Sequence, residues 1–424
     1  YALYLPKDYN SEKKWPVILI FEPAARGKLP VQKFKQGADE LGYILMASNN
    51  SKNGGWEIAF EAADAMFADA FAKYSIDTTR MYTSGFSGGS RVASAVASLT
   101  GRVNGVIACG AGFAGSLSYQ LPAKSPVYYA SVVGNQDMNY QELRYTEKAL
   151  DGKSVSNTRI IFNAGHQWPN AKYLMEALYW MELQCLKDNK AVSDNFSVEK
   201  AYSIMKDRAD STLNAGNLVL AREIYEGMVD DYNSLRNIKE LEEKIQQINL
   251  DKEYKKQVKR FDKYNALEVK YRQELSDAFT ELTQNKLKTY NDSLVKDMRW
   301  WEKTVDSYKK MSTKDDFIVS NMASRILNQI GAQSAETSFG CVSTKDYETA
   351  LKLARIWYYL SPGVMAKWQM VVTLAYSHND EFYTYLEELV AMGARVNKNS
   401  ILKNDAFIDY LESEKMQRIL AQLP

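Results

Sequence analysis

Histidine, cysteine and proline are scarce in this chain: two, three and nine occur among 424 residues. The cysteines, Cys109, Cys185 and Cys341, are odd in number and far apart, which excludes a disulfide framework. No two stand at metal-ligand spacing, and they read as buried small hydrophobes. With so few histidines no transition-metal site is expected and no cofactor is needed, although the sequence leaves a carboxylate-built calcium site open. Excess charge of one sign is missing too. Lys and Arg number 53 against 52 Asp and Glu, a net charge of +1, which gives no reason to expect nucleic acid or an anionic membrane surface as a partner. No apolar run approaches the roughly 18 residues that a membrane span needs. The chain opens on Tyr1 rather than Met, directly in the strand-like YALYLP. The expectation is that a native N-terminus, with any signal segment, has been removed, so that targeting cannot be read.

Hydrophobic residues make up 46% of the chain, enough for sizeable cores, and the length favours two or three domains. Up to about residue 190, short apolar runs alternate with helical stretches. The runs are PVILIF (16–21), YILMAS (43–48), RMYTSGF (80–86), GVIACG (105–110), VYYASVVG (127–134) and RIIFNAG (159–165). They are bounded by Gly, Pro, Asn and Asp and read as buried strands. The alternation implies a mostly parallel, doubly wound α/β sheet with helices on both faces.

Beyond residue 190 proline is absent until Pro362, and charged stretches with apolar spacing of three and four take over. Residues 191–424 are therefore expected to form an all-α domain. Two places are similar to tetratricopeptide (TPR) helix pairs: AGNLVLAREIYEGM, with Gly216, Ala221 and Tyr225, and DYETALKLARIWYYLSP, with Ala350, Trp357 and Pro362, followed by Trp368, Ala375 and Tyr376. The middle, about 236–335, lacks the pattern and reads as a long helical hairpin. This partly TPR-like half would suit a protein or peptide partner. Because the composition changes near 190, a cut near Asn195 is expected to leave the first half intact.

Chemistry concentrates in the first half. Gly85-Phe86-Ser87-Gly88-Gly89 is a G-x-S-x-G that follows an apolar strand and opens the Ala- and Ser-rich helix SGGSRVASAVASL. A serine in that setting occupies a sharp, strained turn, and larger side chains at 85 and 89 would collide with the neighbouring strand and helix. The Gly88 N–H and the helix N-terminus point to where an oxyanion would form. His166 falls directly after the last strand, in NAGHQWP, while His378, in SHND between two helices, reads as an exposed turn residue. Asp137 follows VYYASVVG and could accept the Nδ1–H of His166, with Glu142 and Glu147 as fallbacks downstream. Gly110–Gly115 is a formal G-x-G-x-x-G, but no helix follows it, so a dinucleotide site is refused. Trp56 and Trp168 lie near the expected site loops, and the sequence leaves open whether they line a substrate cleft or pack in the core.

These motifs, with YALYLPKDY at the start, GNQD at the acid and GHQWP at the base, resemble the α/β-hydrolase superfamily. Within it they are similar to the esterase group of polyhydroxybutyrate depolymerase-like and feruloyl-esterase-like proteins. The resemblance covers a little under half the chain and implies a catalytic domain over residues 1–190. Ser87 would be nucleophile, His166 base and Asp137 its orienting acid, in the superfamily's chain order. It implies a carboxylic-ester hydrolase acting on a small-molecule or polysaccharide-linked ester, and export to the periplasm or cell surface of a bacterium. The same triad also serves peptide hydrolysis and acyl transfer, and an interaction module fused to a weak scaffold is the alternative from another class. One departure stands out. Many relatives carry His-Gly after the third strand, whereas here Glu22-Pro23-Ala24-Ala25-Arg26-Gly27 follows. Pro23 has no N–H to offer, so Ala24, then Ala25, is expected to complete the oxyanion hole, with Glu22 turned away onto Arg26.

Overall fold

The computed structural model describes residues 1–284, 296–393 and 396–423. Among them seven strands form one sheet: β1 (Ala2–Tyr4), β2 (Trp15–Phe21), β3 (Ile44–Ala47), β4 (Ile76–Phe86), β5 (Gly105–Cys109), β6 (Tyr128–Gly134) and β7 (Asn157–Phe162). Their order is β1-β3-β2-β4-β5-β6-β7. The β1 edge strand pairs antiparallel with β3, and every other pairing is parallel. All seven residues of β2 are buried, because both faces of the sheet are covered.

Alternate side chains of one strand go to different cores. Ile18 and Ile20 join α1 (Lys28–Leu41) and α5 (Ala171–Lys187) on one face. Val17, Leu19 and Phe21 join α2 (Trp56–Lys73) and α3 (Gly88–Thr100) on the other. A fifth helix, α4 (Tyr140–Gly152), sets Tyr140 and Leu143 against Val133 and Ile161. Each expected strand and the expected alternation are present. Cys109 and Cys185 are buried, while Cys341 is only partly so.

The chain divides into two compact units, Tyr1–Asp262 and Lys263–Pro424. This differs from the expected boundary at 190/191. The first unit also holds α6 (Val198–Asn214), α7 (Leu218–Tyr232), α8 (Lys239–Leu250) and the start of α9 (Lys252–Gln284). The reason lies in α5, which is buried at Leu174 and at every position from Glu176 to Cys185. Its residues share one continuous core with Ala201, Tyr202, Met205, Ala221, Ile224, Tyr225 and Met228 of α6 and α7. Polar contacts tie the same seam. Trp180 Nε1 donates to Asp231 at 3.0 Å, and Arg208 pairs with the buried Glu176 at 2.6 Å. Burial pushes the Glu176 carboxyl above its usual range in spite of the Arg208 charge. The composition change near 190 marks the last helix that lies on the sheet, not the edge of the unit.

In the second unit α10 (Met298–Ser312), α11 (Phe317–Ser343) and α12 (Tyr347–Leu360) start on aspartate caps. Asp297, Asp316 and Asp346 each accept a backbone N–H of the first turn. They are followed by α13 (Val364–Tyr376), α14 (Glu381–Ala391), α15 (Lys398–Leu402) and α16 (Glu414–Ala421). Packed helix pairs stand at both expected places, α6 with α7 and α12 with α13. Ala221, Ala350 and Ala375 are buried there, and Gly216 supplies the left-handed turn at φ 77°. Of the expected middle hairpin, α9 is 33 residues long, and residues 285–295 lie outside the described residues. His378 is exposed, in a left-handed turn beside the Tyr410 hydroxyl. No helix among the described residues is long and apolar enough to cross a membrane.

Candidate active site

The site lies at the carboxyl ends of three parallel strands, where open α/β sheets hold ligands. Ser87 follows β4 directly. Its backbone has φ 53° and ψ −122°, a conformation that costs a non-glycine residue energy and persists only where the surroundings enforce it. Here they do. The Ser87 N–H donates to the Cys109 carbonyl at 2.9 Å, extending the β4–β5 ladder by one bond. A Cβ at Gly85 would stand 2.2 Å from the Gly89 carbonyl oxygen, and one at Gly89 would stand 2.1 Å from that of Phe21. Backbone meets backbone at both points, so only glycine lets the strand, the turn and α3 come together.

His166 and Asp137 reach Ser87 from the loops after β7 and β6. The His166 Nε2 lies 2.9 Å from Ser87 Oγ, and its Nδ1 lies 2.9 Å from both carboxylate oxygens of Asp137. Asp137 is fully buried, and its Oδ1 also accepts the Asn139 N–H at 2.8 Å. The two loops are laced together below the pair. Asn135 N–H donates to the Phe162 carbonyl and Gln136 N–H to that of Ala164. A Cβ at Gly134 would stand 2.2 Å from the Ala164 carbonyl oxygen, so this close approach also demands glycine. Phe86 packs on the imidazole with ring centroids 4.6 Å apart. Chemically, the arrangement can move a proton from the Ser87 hydroxyl to an imidazole held in one tautomer by a buried carboxylate.

A serine on a strained strand-to-helix turn, with an aspartate and a histidine on later loops of this parallel sheet, settles the architecture. The fold is that of an α/β-hydrolase.

No family model matches the chain, and no curated protein matches it. Among solved structures, a ferulic acid esterase is 18% identical, the match covering 43% of this chain and 88% of that one, with a TM-score of 0.35. A fluorophosphonate-binding serine hydrolase of Staphylococcus aureus is 13% identical, with coverages of 42% and 90% and a TM-score of 0.35. Est1E from Butyrivibrio proteoclasticus is 12% identical, with coverages of 44% and 93% and a TM-score of 0.34. The strand order and the elbow, not these likenesses, establish the hydrolase fold.

The fallback acids are placed elsewhere. Glu142 makes a two-pronged pair with Arg91 and accepts the Gly112 N–H, while Glu147 pairs with Arg159. After Gly110–Gly115 comes only the short turn Leu117–Tyr119, as the missing helix signal implied. Glu22 does turn onto Arg26, but it takes Ala24 with it. The Ala24 N–H donates to Glu22 Oε2 at 2.7 Å, and the Ala25 N–H donates to the Glu22 carbonyl at 3.1 Å. The expectation that Ala24 or Ala25 faces an oxyanion is therefore corrected, because both donors are spent inside the Glu22 turn. Burial raises the Glu22 carboxyl pKa. Bonds from the Arg26 guanidinium and from the Arg26 and Ala24 N–H groups outweigh this and hold it below its usual value.

The Gly88 N–H, first of α3, has no intrahelical acceptor. Trp168 is buried against Phe86, with ring centroids 5.5 Å apart, so it braces the ring behind His166 and belongs to the core. Trp56 is half-buried and packs on Phe60 and Tyr119. One neighbour of the serine escaped the sequence reading. The Asn53 carboxamide sits against Gly88, where a Cβ would stand 2.0 Å from its Oδ1. The signal available was Asn53-Gly54-Gly55, a turn-forming triplet between β3 and α2. Among the described residues no group of three or more His, Cys, Asp or Glu could hold a metal ion.

Proposed function

We propose that the hydrolase unit cleaves carboxylic esters through an acyl-enzyme. The observation that carries this reading is the unbroken chain Ser87 Oγ–His166 Nε2 and His166 Nδ1–Asp137, both links at 2.9 Å. Ser87 Oγ bonds to the acyl carbon, and the carbonyl electron pair moves onto oxygen. The serine proton passes to His166 Nε2, and Asp137 stabilises the imidazolium. The oxyanion collapses, the ester C–O bond breaks, and His166 returns the proton to the leaving alcohol. A water then gives a proton to His166 as its oxygen bonds to the acyl carbon. The second oxyanion collapses, the bond from the acyl carbon to Ser87 Oγ breaks, His166 returns the proton to Ser87 Oγ, and the acid is released. The Gly88 N–H and the α3 N-terminus stabilise the oxyanion in both halves. His166 keeps 20% of its side chain exposed, which suits an ester whose bulk, such as a sugar, stays outside the cleft.

The test is labelling by a fluorophosphonate together with turnover of p-nitrophenyl acetate. Ser87→Ala should abolish labelling and lower turnover by several orders of magnitude, up to about 10⁶. Label on another serine, or undiminished turnover in Ser87→Ala, would refute the reading.

A further inference from the structure

We infer that the Asn53 side-chain amide supplies the second oxyanion donor, in place of the backbone N–H that the Glu22 turn has withdrawn. The inference rests on the ester-hydrolase reading above and extends it. Ala24 and Ala25 have given their N–H groups to Glu22, so of the expected oxyanion donors the Gly88 N–H is the one left. A single donor is a poor oxyanion hole, since removing one donor from such a site typically costs about 10²–10³ in turnover. The Asn53 carboxamide lies directly over Gly88, its Oδ1 2.0 Å, its Cγ 3.0 Å and its Nδ2 3.5 Å from the point a Cβ would occupy. It is exposed, and the surrounding loop, not the amide itself, holds it in place. Its backbone N–H donates to the Pro23 carbonyl at 2.8 Å, and Lys52 bridges to Ala24. Ser48 Oγ accepts the Asn50 and Ser51 N–H groups at the start of the same loop.

The turn that withdraws the backbone donor is thus the one that anchors the residue replacing it. Rotation about χ2, a broad two-fold torsion, exchanges oxygen for nitrogen and brings Nδ2 to the side of Gly88 where Oδ1 now stands. Glycine at 88 is then required, because any side chain there would displace the amide.

Three variants of the full chain test this, assayed on p-nitrophenyl acetate and by rate of fluorophosphonate labelling. Asn53→Ala and Asn53→Asp, the latter equal in size but without N–H donors, should each lower kcat about 100- to 1000-fold with KM almost unchanged. Labelling should slow in parallel, because the phosphonyl oxygen uses the same donors. Gly88→Ala keeps its N–H but pushes the amide away, so it should lose as much. The double variant Gly88→Ala/Asn53→Ala should then lose no more than either alone. Thermal midpoints near that of the parent exclude misfolding as the cause. Unchanged kcat in either Asn53 variant, a loss confined to KM, or additive losses in the double variant would overturn the proposal while leaving the hydrolase reading intact. A parent chain that neither labels nor turns over would overturn the hydrolase reading and this one with it.

Discussion

A fragment ending near Asn195 is expected to fail, and one ending near Asp262 to fold and keep its turnover. The shorter cut removes α6 to α8 and bares the outward side of α5. Trp180 shares its surroundings with Met205, Ile224 and Met228 and bonds to Asp231. Tyr179 packs on Phe196, with ring centroids 6.0 Å apart. An aromatic side chain of this size buries about 200 Å². If the cut returns half of that to water for each ring, the cost at about 25 cal/mol per Å² is roughly 5 kcal/mol. Domains of this kind are stable by only about 5–15 kcal/mol in total, and aliphatic neighbours add to the loss. The assay is p-nitrophenyl acetate turnover by both fragments, with far-UV circular dichroism and urea denaturation. The 195 fragment should be unfolded, or should lose cooperativity and aggregate. Equal denaturation midpoints for the two fragments would refute the reasoning and restore residue 190 as the edge of an independent domain.

Glu22 should give a pH signature. Its folded pKa lies below the ordinary 4.5, so its contribution to stability is complete above about 4.5 and is lost as pH falls through the folded value. The gap in thermal midpoint between the parent and Glu22→Gln should be present at pH 7 and narrow below pH 4.5; a gap that widens in acid would contradict this. Gly134→Ala forces a Cβ toward the Ala164 carbonyl, 2.2 Å away, and should cost about 1–3 kcal/mol while parting Asp137 from His166. Urea denaturation and ester turnover should both fall, and parent-like turnover would show that the two loops can separate without harm. Chelators should leave turnover unchanged; loss in EDTA that zinc restores would sink the metal-free mechanism.

Ser87, His166 and Asp137 were legible because each follows a recognisable apolar strand, and a parallel sheet gathers the residues after such strands at one edge. Ala24 was not legible in this way. Its role depends on which way the Glu22 side chain folds, and the sequence shows the carboxylate but not its choice of a partner two residues away. The unit boundary is hard to see in the sequence for a different reason. The stripe Leu174, Ala177, Leu178 and Met181 joins the core on the sheet. Tyr179, Trp180 and Leu183 form a second apolar side of the same helix, and a helix apolar all round must be covered on both sides. The shift in composition near residue 190 masks that signal. Asn53 was hidden because a turn-forming Asn-Gly-Gly is ordinary loop chemistry until its neighbour is known.

The backbone of Ser87 bears on how this chain can change over generations. A residue at φ 53° and ψ −122° costs of order 1–3 kcal/mol when it is not glycine. Were the hydroxyl idle, exchange to glycine would relieve that strain at no loss, and random substitution would have a downhill path away from serine. Selection for a sturdier protein and selection for a reactive one therefore pull this position in opposite directions. Among the candidate site residues it is the one where a hydroxyl without a task would be lost most readily, because glycine there relieves the strain.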